Sequence, residues 1–508
     1  MDEGGGHGGG FVPGGSGASA THSDPFPAQH QRNAMSASTS GRRRRTTGVA
    51  PNPTAVAVAD GPSFFQPPSA SGFPPSALPS PSAFPFSSTP TTTTLTLFST
   101  NDYLGLSTHP RVRAAAARAA ASLGCGPRAS ALVPGAYTTA HRELERALAR
   151  LKGTEDALLF PSGFAANAAA MAALCGDGGE GGAASTVVVF SDELNHASIV
   201  DGARLAARGS GNSSSGSPSS QSSPRVKVVV YPHNDVAFLD RALSDERVVP
   251  RGARALVVTD SLFSMDGDAA DLRALARLRR RHGFLLVIDE AHATLVCGAR
   301  GGGAAEALLG GAPGGGEGGE GGSVSSSSSF SSSDVDVHVG TLSKAFGAHG
   351  GFVACSARVR SLLANAGRPF AFSTALPAPA VAAALAALEV AAFDAAEGRA
   401  LRARVWGHAR RLGEALGVPV SSPIVPLILG GEREALAASG FLLDRGLHVP
   451  AIRPPTVPRG TSRLRVSLSA AHRDEDVGRL IEALRELGFG KGGAGGAGGG
   501  EAAGRSRL

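Results

Sequence analysis

The chain has 508 residues, a formal net charge of +6 and four cysteines, and it carries 69 glycines and 33 prolines. Length alone allows two or three domains. The Gly and Pro gather in stretches that cannot bury enough apolar surface to offset their ordering entropy, so the folded part is shorter than the chain. Cys125, Cys175, Cys297 and Cys355 lie far apart with no CxxC pair, which argues against a metal site or a disulfide framework and fits a reducing compartment. Basic residues of the folded part sit beside acidic ones and aromatics are few, so nucleic acid is not expected as a partner despite "GRRRRTTG" at 41–48. No run approaches the roughly 20 apolar residues of a membrane span, so no membrane is expected either.

In chain order, residues 1–93 are predicted to be a disordered low-complexity region. From residue 94 strands and helices alternate. "HPRVRAAAARAAASLG" and "HRELERALARLKG" read as helices. "TVVVFSDELNHAS", "RVKVVVYPHND", "RALVVTDSLFSMDGD", "GFLLVIDEAH", "VDVHVGTLSK" and "GGFVACS" each open on a short β-branched run. The pattern predicts an α/β large domain over 94–399, its mainly parallel sheet sandwiched by helices. Disordered insertions are expected near 208–224 and 310–333. The Ala-rich stretch 377–400, broken by Glu389, reads as a packed helix. A smaller C-terminal α+β domain is expected over 400–488, followed by a flexible tail at 489–508.

His196, Ser264, Asp289, His292 and Lys344 all follow apolar runs. Ligands of open α/β sheets bind at the carboxyl ends of the strands, so these residues can line one crevice. "VIDEAH" admits a Walker-B reading, but that needs an upstream G-x-x-x-x-G-K-[ST] loop. The chain has none; the Gly490–Lys491 pair is followed by glycine. The other reading joins Asp289 to Lys344. A desolvated lysine amine attacks carbonyls. If the carbonyl is that of pyridoxal phosphate, the ring nitrogen needs an acidic partner, which Asp289 can supply. His292 can reach the phenolic oxygen, and His196 can cover the ring. Ser162, Gly163 and Phe164, ahead of an Ala-rich helix, offer N–H groups to a phosphate. The small residues of "GTLSKAFGAHGG" are expected to leave room for the flat ring. Each residue alone has a plainer role as helix cap, core histidine or surface lysine; the case rests on their order along one sheet.

That order is recognisable. Segments "NDYLGLSTHP", "GPRASALVPGAYTTAHRELE", "PSGFAAN", "SDELNHASIVDG", "VVTDSLFSMDGD", "VIDEAH", "GTLSKAFGAHGGFVACS", "FSTALP" and "AIRPPTVPRGTSRLRVSLSAAH" make residues 96–488 resemble the α-oxoamine synthases, pyridoxal-phosphate enzymes of fold type I. The last segment favours the branch that condenses L-alanine with pimeloyl-CoA, or a pimeloyl-carrier protein, in biotin synthesis. The resemblance implies Lys344 as the Schiff-base lysine that later removes the α-proton, Asp289 as partner of the ring nitrogen and His196 as the stacking residue near substrate. It implies His292 at the phenolic oxygen, Gly163 and Phe164 as phosphate donors, and hydroxyl contacts from Ser264 and Thr341. Asn101 and Arg465 resemble the pair that holds the amino-acid carboxylate, Thr456 a substrate contact, and "FSTALP" (372–377) a segment serving the other subunit of a homodimer. The chain departs from the family in having low-complexity sequence where a helical segment with a substrate-contacting arginine usually precedes "NDYLGL", and Ala293 where glycine is common. Alternatives are a relative joining glycine or serine to another acyl-CoA, and a non-catalytic subunit, which would be expected to lose its lysine.

Ser506-Arg507-Leu508 resembles the S-K-L peroxisomal address, and a peroxisomal import receptor is the expected reader. A cytosolic location is the alternative. An organellar one applies if translation starts at Met35, whose "MSASTSGRRRRTTGVA" is Ser- and Arg-rich and free of acids.

Overall fold

The computed structural model describes residues 45–49, 55–59, 92–176, 186–209, 226–309 and 330–490. Residues 46–59 and 91–508 belong to one unit. Most of the two expected insertions, Met35 and Ser506–Leu508 lie outside the described residues.

The first difference from the sequence reading is at the start. Strands β1 (Arg45–Val49) and β2 (Ala55–Ala59) occur inside the region expected to be disordered, and β3 (Thr92–Leu97) begins just before its predicted end. "AVAVA" and "TTTLTL" are rich in β-branched residues, a local preference that overall composition hides. β2 pairs antiparallel with β3 along its whole length.

The central sheet is built from β4 (Asp156–Phe160), β5 (Val187–Asp192), β6 (Val226–Tyr231), β7 (Arg254–Asp260), β8 (Leu285–Asp289), β9 (Val337–Thr341) and β10 (Gly351–Cys355). Its order is β4-β10-β9-β8-β7-β5-β6. Neighbours from β9 through β6 are parallel, and β10 is antiparallel to both its neighbours. The fold is therefore the α/β class that the alternation predicts. Helices cover both faces: in β5, Val187 and Val189 enter one core and Val188 and Phe190 the other. This two-sided burial explains runs without polar alternation. Of the five parallel strands four end in Asp192, Asp260, Asp289 and Thr341, the edge strand β6 ends in Tyr231, and Asp260 sits directly opposite Asp289.

The C-terminal part holds β11 (Ile424–Gly430), β12 (Leu447–His448), β13 (Ala451–Ile452) and β14 (Ser462–Ser467). β11, β14 and β13 form an antiparallel sheet, with helices Ala395–Leu416, Glu432–Asp444 and Asp474–Glu486 beside it. The first of these helices runs through residue 400, where the sequence places the domain boundary. β12 pairs parallel with β3 in a separate sheet of order β1-β2-β3-β12, so residues 92–97 pair with the C-terminal part and not with the central sheet. The segment after β3 is tied to the end of β14: Ser467 N–H donates to the Phe98 carbonyl at 2.8 Å and Ala470 N–H to the Tyr103 carbonyl at 2.8 Å. That stitching places Asn101 and Tyr103 beside β14.

Two details correct the outline. The Ala-rich stretch is helical over Ala378–Leu388, but a π-helical turn at Glu389–Phe393 and an 85° bend at Asp394 divide it from the next helix. No single described helix is long and apolar enough to cross a membrane. The second insertion ends earlier than expected, since Phe330 is buried and Asp334, capping a short 3-10 turn, pairs with Arg280.

Candidate active site

Lys344 lies in the turn after β9, closed by the Leu342 N–H on the Gly350 carbonyl at 2.9 Å. Two of the glycines around it are set against protein and not against open space. A Cβ on Gly340 would overlap the Phe352 ring, and one on Gly347, which has φ of 62°, would overlap the Leu106–Ser107 backbone. These glycines permit close packing and a left-handed turn. The backbone donors that could meet a phosphate lie at the mouth of the helix Gly163–Cys175. Ser162 caps it, taking the Ala165 N–H at 3.1 Å, so Gly163 and Phe164 carry orphan donors of the first turn. A Cβ on Gly163 would stand 3.1 Å from Thr341 Cβ and 3.3 Å from its Oγ1, which puts the helix mouth beside the end of β9. Thr341 Oγ1 lies 2.8 Å from Ser343 Oγ.

Lys344 Nζ is 2.7 Å from His292 Nε2, and His292 Nδ1 is 2.6 Å from the Tyr103 hydroxyl. Tyr103 also donates to Asn101 Oδ1 at 3.1 Å. That oxygen accepts from Arg465 Nη1 and Nη2 at 3.2 and 3.3 Å. Arg465, on β14, is further held by the Ser264 carbonyl at 2.5 Å and by Ser467 Oγ at 2.8 Å. On the other side of the lysine, Asp289 Oδ2 accepts from Asn167 Nδ2 at 2.6 Å and Oδ1 from Ala291 N–H at 2.8 Å. Asn167 also reaches Ser198 Oγ at 2.9 Å, which lies 2.7 Å from His196 Nδ1. His196 N–H donates to Asp260 Oδ2 at 3.0 Å.

Burial dominates the electrostatics. It lowers the Lys344 pKa, with Arg465 adding to the effect and Asp289 and Asp260 opposing it. His292 is pushed well below the ordinary histidine range by burial and then by the cations Lys344 and Arg465. His196 is lowered by burial against the pull of Asp289. Asp260 is raised well above the usual carboxylate range by burial and by Asp289 across the strand pair. Tyr103, fully buried, is pushed up to about 12 by burial, so its hydroxyl keeps its proton. A desolvated amine of this kind is a nucleophile toward carbonyls.

Most of the predicted residues therefore meet: Lys344, His292, Asp289 and His196 around one crevice, Asn101 and Arg465 beside it, Gly163 and Thr341 at the helix mouth. Ser264 joins this group through its carbonyl, which accepts from Arg465 Nε. Phe164 is half-exposed at the helix mouth. Thr456 is exposed in the turn after Pro454–Pro455, and no described side-chain bond links it to the crevice. The sequence reading missed Tyr103, Asn167, Ser198 and Asp260. Signals existed for two of them: Asn167 is the lone polar side chain in the apolar helix "GFAANAAAMAALC", and Asp260 ends a buried strand as Asp289 does. No group of His, Cys, Asp and Glu among the described residues has the make-up of a metal site.

The family model for aminotransferases of class I and II matches residues 93–209 and 219–484. The chain belongs to the class I and II aminotransferase family. Within that family it is 48% identical over 396 residues to 8-amino-7-oxononanoate synthase of Arabidopsis thaliana, covering 77% of this chain and 74% of the relative. Among solved structures it is similar to serine palmitoyltransferase of Sphingomonas wittichii, with a TM-score of 0.65, 29% identity, and 78% and 88% of the two chains covered. A structure of SPT with pyridoxal phosphate aligns with a TM-score of 0.64 at 28% identity, covering 78% of this chain and 88% of that one. The higher identity lies with the synthase, while the fold and cofactor class are common to both groups.

Proposed function

We propose that the chain condenses L-alanine with a pimeloyl thioester, losing carbon dioxide and releasing the thiol, to give 8-amino-7-oxononanoate. The observation that carries the reaction class is one crevice holding a desolvated lysine amine, a buried carboxylate and a guanidinium on a neighbouring domain. The choice of substrates is supported by the identity to the Arabidopsis synthase.

The residues present fit pyridoxal phosphate. The cradle formed by the helix mouth and Thr341 is of the kind that takes a phosphate. When bound, the cofactor supplies an electrophilic carbon for an amine and a ring that accepts electrons. Gly163, Phe164 and Thr341 would hold its phosphate, Asp289 its ring nitrogen, His292 its phenolic oxygen and His196 one face of the ring. Asn167 orients the Asp289 carboxylate and, through Ser198, the His196 imidazole. Arg465 and Asn101 hold the carboxylate of the amino acid, for which a planar guanidinium supplies paired N–H groups. Burial lowers the proton affinity of Lys344, which favours the amine form needed to attack a carbonyl and to take up the α-proton of alanine.

The proposal includes a homodimer. Its support is an exposed apolar edge: Phe372 in "FSTALP" is 76% exposed and Leu132 59% exposed, on two segments joined by the bridge Ser130–Thr374. Peroxisomal import is a separate proposal resting on Ser506-Arg507-Leu508 alone, and masking that tripeptide in a fluorescent fusion should disperse the signal into the cytosol.

The reaction is tested by supplying pyridoxal phosphate and crossing alanine, glycine and serine with pimeloyl-, acetyl-, succinyl- and palmitoyl-CoA. Thiol release and product mass are read, with Lys344→Ala as blank. Signal confined to alanine plus pimeloyl-CoA supports the proposal. Preference for another pair keeps the site chemistry and removes the substrate assignment.

A further inference from the structure

The row Arg465–Asn101–Tyr103–His292–Lys344 is continuous, and the donor inventory sets the direction of every link. The atom of Asn101 that meets Arg465 Nη1 and Nη2 faces donors only, so it is the amide oxygen. The same oxygen is 3.1 Å from the Tyr103 hydroxyl, which must therefore donate its proton there. Tyr103 has no second hydrogen. Against His292 Nδ1 at 2.6 Å its oxygen can only accept, so Nδ1 carries the hydrogen. His292 is buried and held well below the ordinary histidine range, chiefly by that burial, so the ring stays neutral and Nε2 is bare. At 2.7 Å, Nε2 accepts from the Lys344 amine.

We propose that Tyr103 is a positioning residue: through Asn101 it holds His292 in its Nδ1–H form, so that a bare Nε2 faces the lysine. The inference rests on Lys344 being the reactive lysine of the proposed reaction. It connects the carboxylate clamp on β14 to the amine by hydrogen-bond polarity alone. Which ring nitrogen holds the proton is set by the bond that the other makes. Toward a phenolic oxygen arriving beside Lys344, the same Nε2 can accept a hydrogen bond and cannot donate one.

The test reads the tautomer directly. The full chain is labelled with 15N-histidine, with and without pyridoxal phosphate, and the His292 signals are assigned by their loss in His292→Gln. Two variants are compared with the natural chain. Tyr103→Phe keeps the buried ring and removes the acceptor for Nδ1–H. Asn101→Leu keeps Tyr103 but removes the acceptor for its hydroxyl, which then turns to donate to Nδ1. In the natural chain without cofactor, Nδ1 should give the pyrrole-type signal and Nε2 the pyridine-type one. Both variants should exchange the two. Each should also slow capture of pyridoxal phosphate about fivefold, as expected for one lost hydrogen bond. A natural chain already in the Nε2–H form, or either variant with the unchanged pattern, overturns the proposal. A merely structural Tyr103 would not move the tautomer in Asn101→Leu. The signals are read without substrate, so failure of the alanine and pimeloyl-CoA reaction would leave this result standing on its own.

Discussion

Two lysines lie near the end of β8, Lys152 buried and Lys344 half-buried, and their surroundings differ in kind. β8 closes on Asp289 and Glu290 follows it. Lys152 Nζ donates to Glu290 Oε2 at 2.7 Å, Thr294 Oγ1 at 2.8 Å and the Gly302 carbonyl at 2.7 Å. All three of its hydrogens are used, and His338 Nδ1 lies 2.9 Å from the same carboxylate oxygen. Lys344 has His292 as its close partner, and that contact involves a neutral ring. A lysine whose three hydrogens are all accepted holds structure. A lysine buried without saturation loses proton affinity and becomes available for chemistry.

The contrast can be broken by exchanging roles. Lys344→Ala should lower product formation by roughly 10³-fold or more. It should leave the midpoint of chemical unfolding unchanged or higher, because burying that amine opposes folding. Lys152→Met should do the reverse. Removing one partner of a buried pair costs about 3–5 kcal/mol, while turnover per folded molecule stays within a few fold of the natural value. Denaturant titration beside the thiol-release assay checks both.

Acid sharpens the same contrast. Burial pushes the Glu290 carboxyl up, but Lys152 and His338 hold it down to about 2, below its ordinary 4.5. Between those values the unfolded chain binds the proton and the folded one does not. The stabilisation is thus full above about 4.5 and lost as pH falls toward 2, on the order of 3 kcal/mol in all. Unfolding free energy followed against pH should show this loss in the natural chain and not in Glu290→Gln.

The smallest expected effect comes from the facing carboxylates. Asp260 is pushed toward its neutral acid by burial and by Asp289, so asparagine copies it well. Asp260→Asn should keep turnover within about threefold, whereas Asp289→Asn should cost roughly 10²-fold. The raised pKa of Asp260 means the folded state holds its proton longer than the unfolded one. Stability should therefore fall as pH rises from about 3.9 through the folded pKa, and Asp260→Asn should lack that fall.

Much of this was legible in the sequence, and the misses share a cause. Lys344, Asp289, His292 and His196 follow apolar runs, and parallel strands end on one line, so order along the chain became proximity. Asn101 and Arg465 came only through the family resemblance, because β3 pairs with the distant β12 and no periodicity announces that pairing. Tyr103 sits in the quoted "NDYLGL" and is fully buried, and nothing local in the sequence separates it from an ordinary core tyrosine. Lys152 and Glu290 pair across 138 residues, which depends on tertiary packing that no local pattern announces. The glycines near Lys344 were assigned to a ligand when their neighbours are Phe352 and the Leu106–Ser107 backbone, a close approach that composition cannot distinguish from open space. β1 and β2 were hidden by the composition around them.

The chain has four lysines, Lys152, Lys227, Lys344 and Lys491. Lys227 is exposed, its Nζ on the Val248 carbonyl at 3.3 Å, and Lys491 lies outside the described residues. That small number makes one measurement decisive. The full chain is loaded with pyridoxal phosphate, reduced with borohydride, digested and mapped by mass spectrometry. The account predicts the reduced cofactor on the peptide containing Lys344, with none on Lys152. Label on another lysine, or capture of the cofactor by Lys344→Ala equal to that of the natural chain, would contradict it.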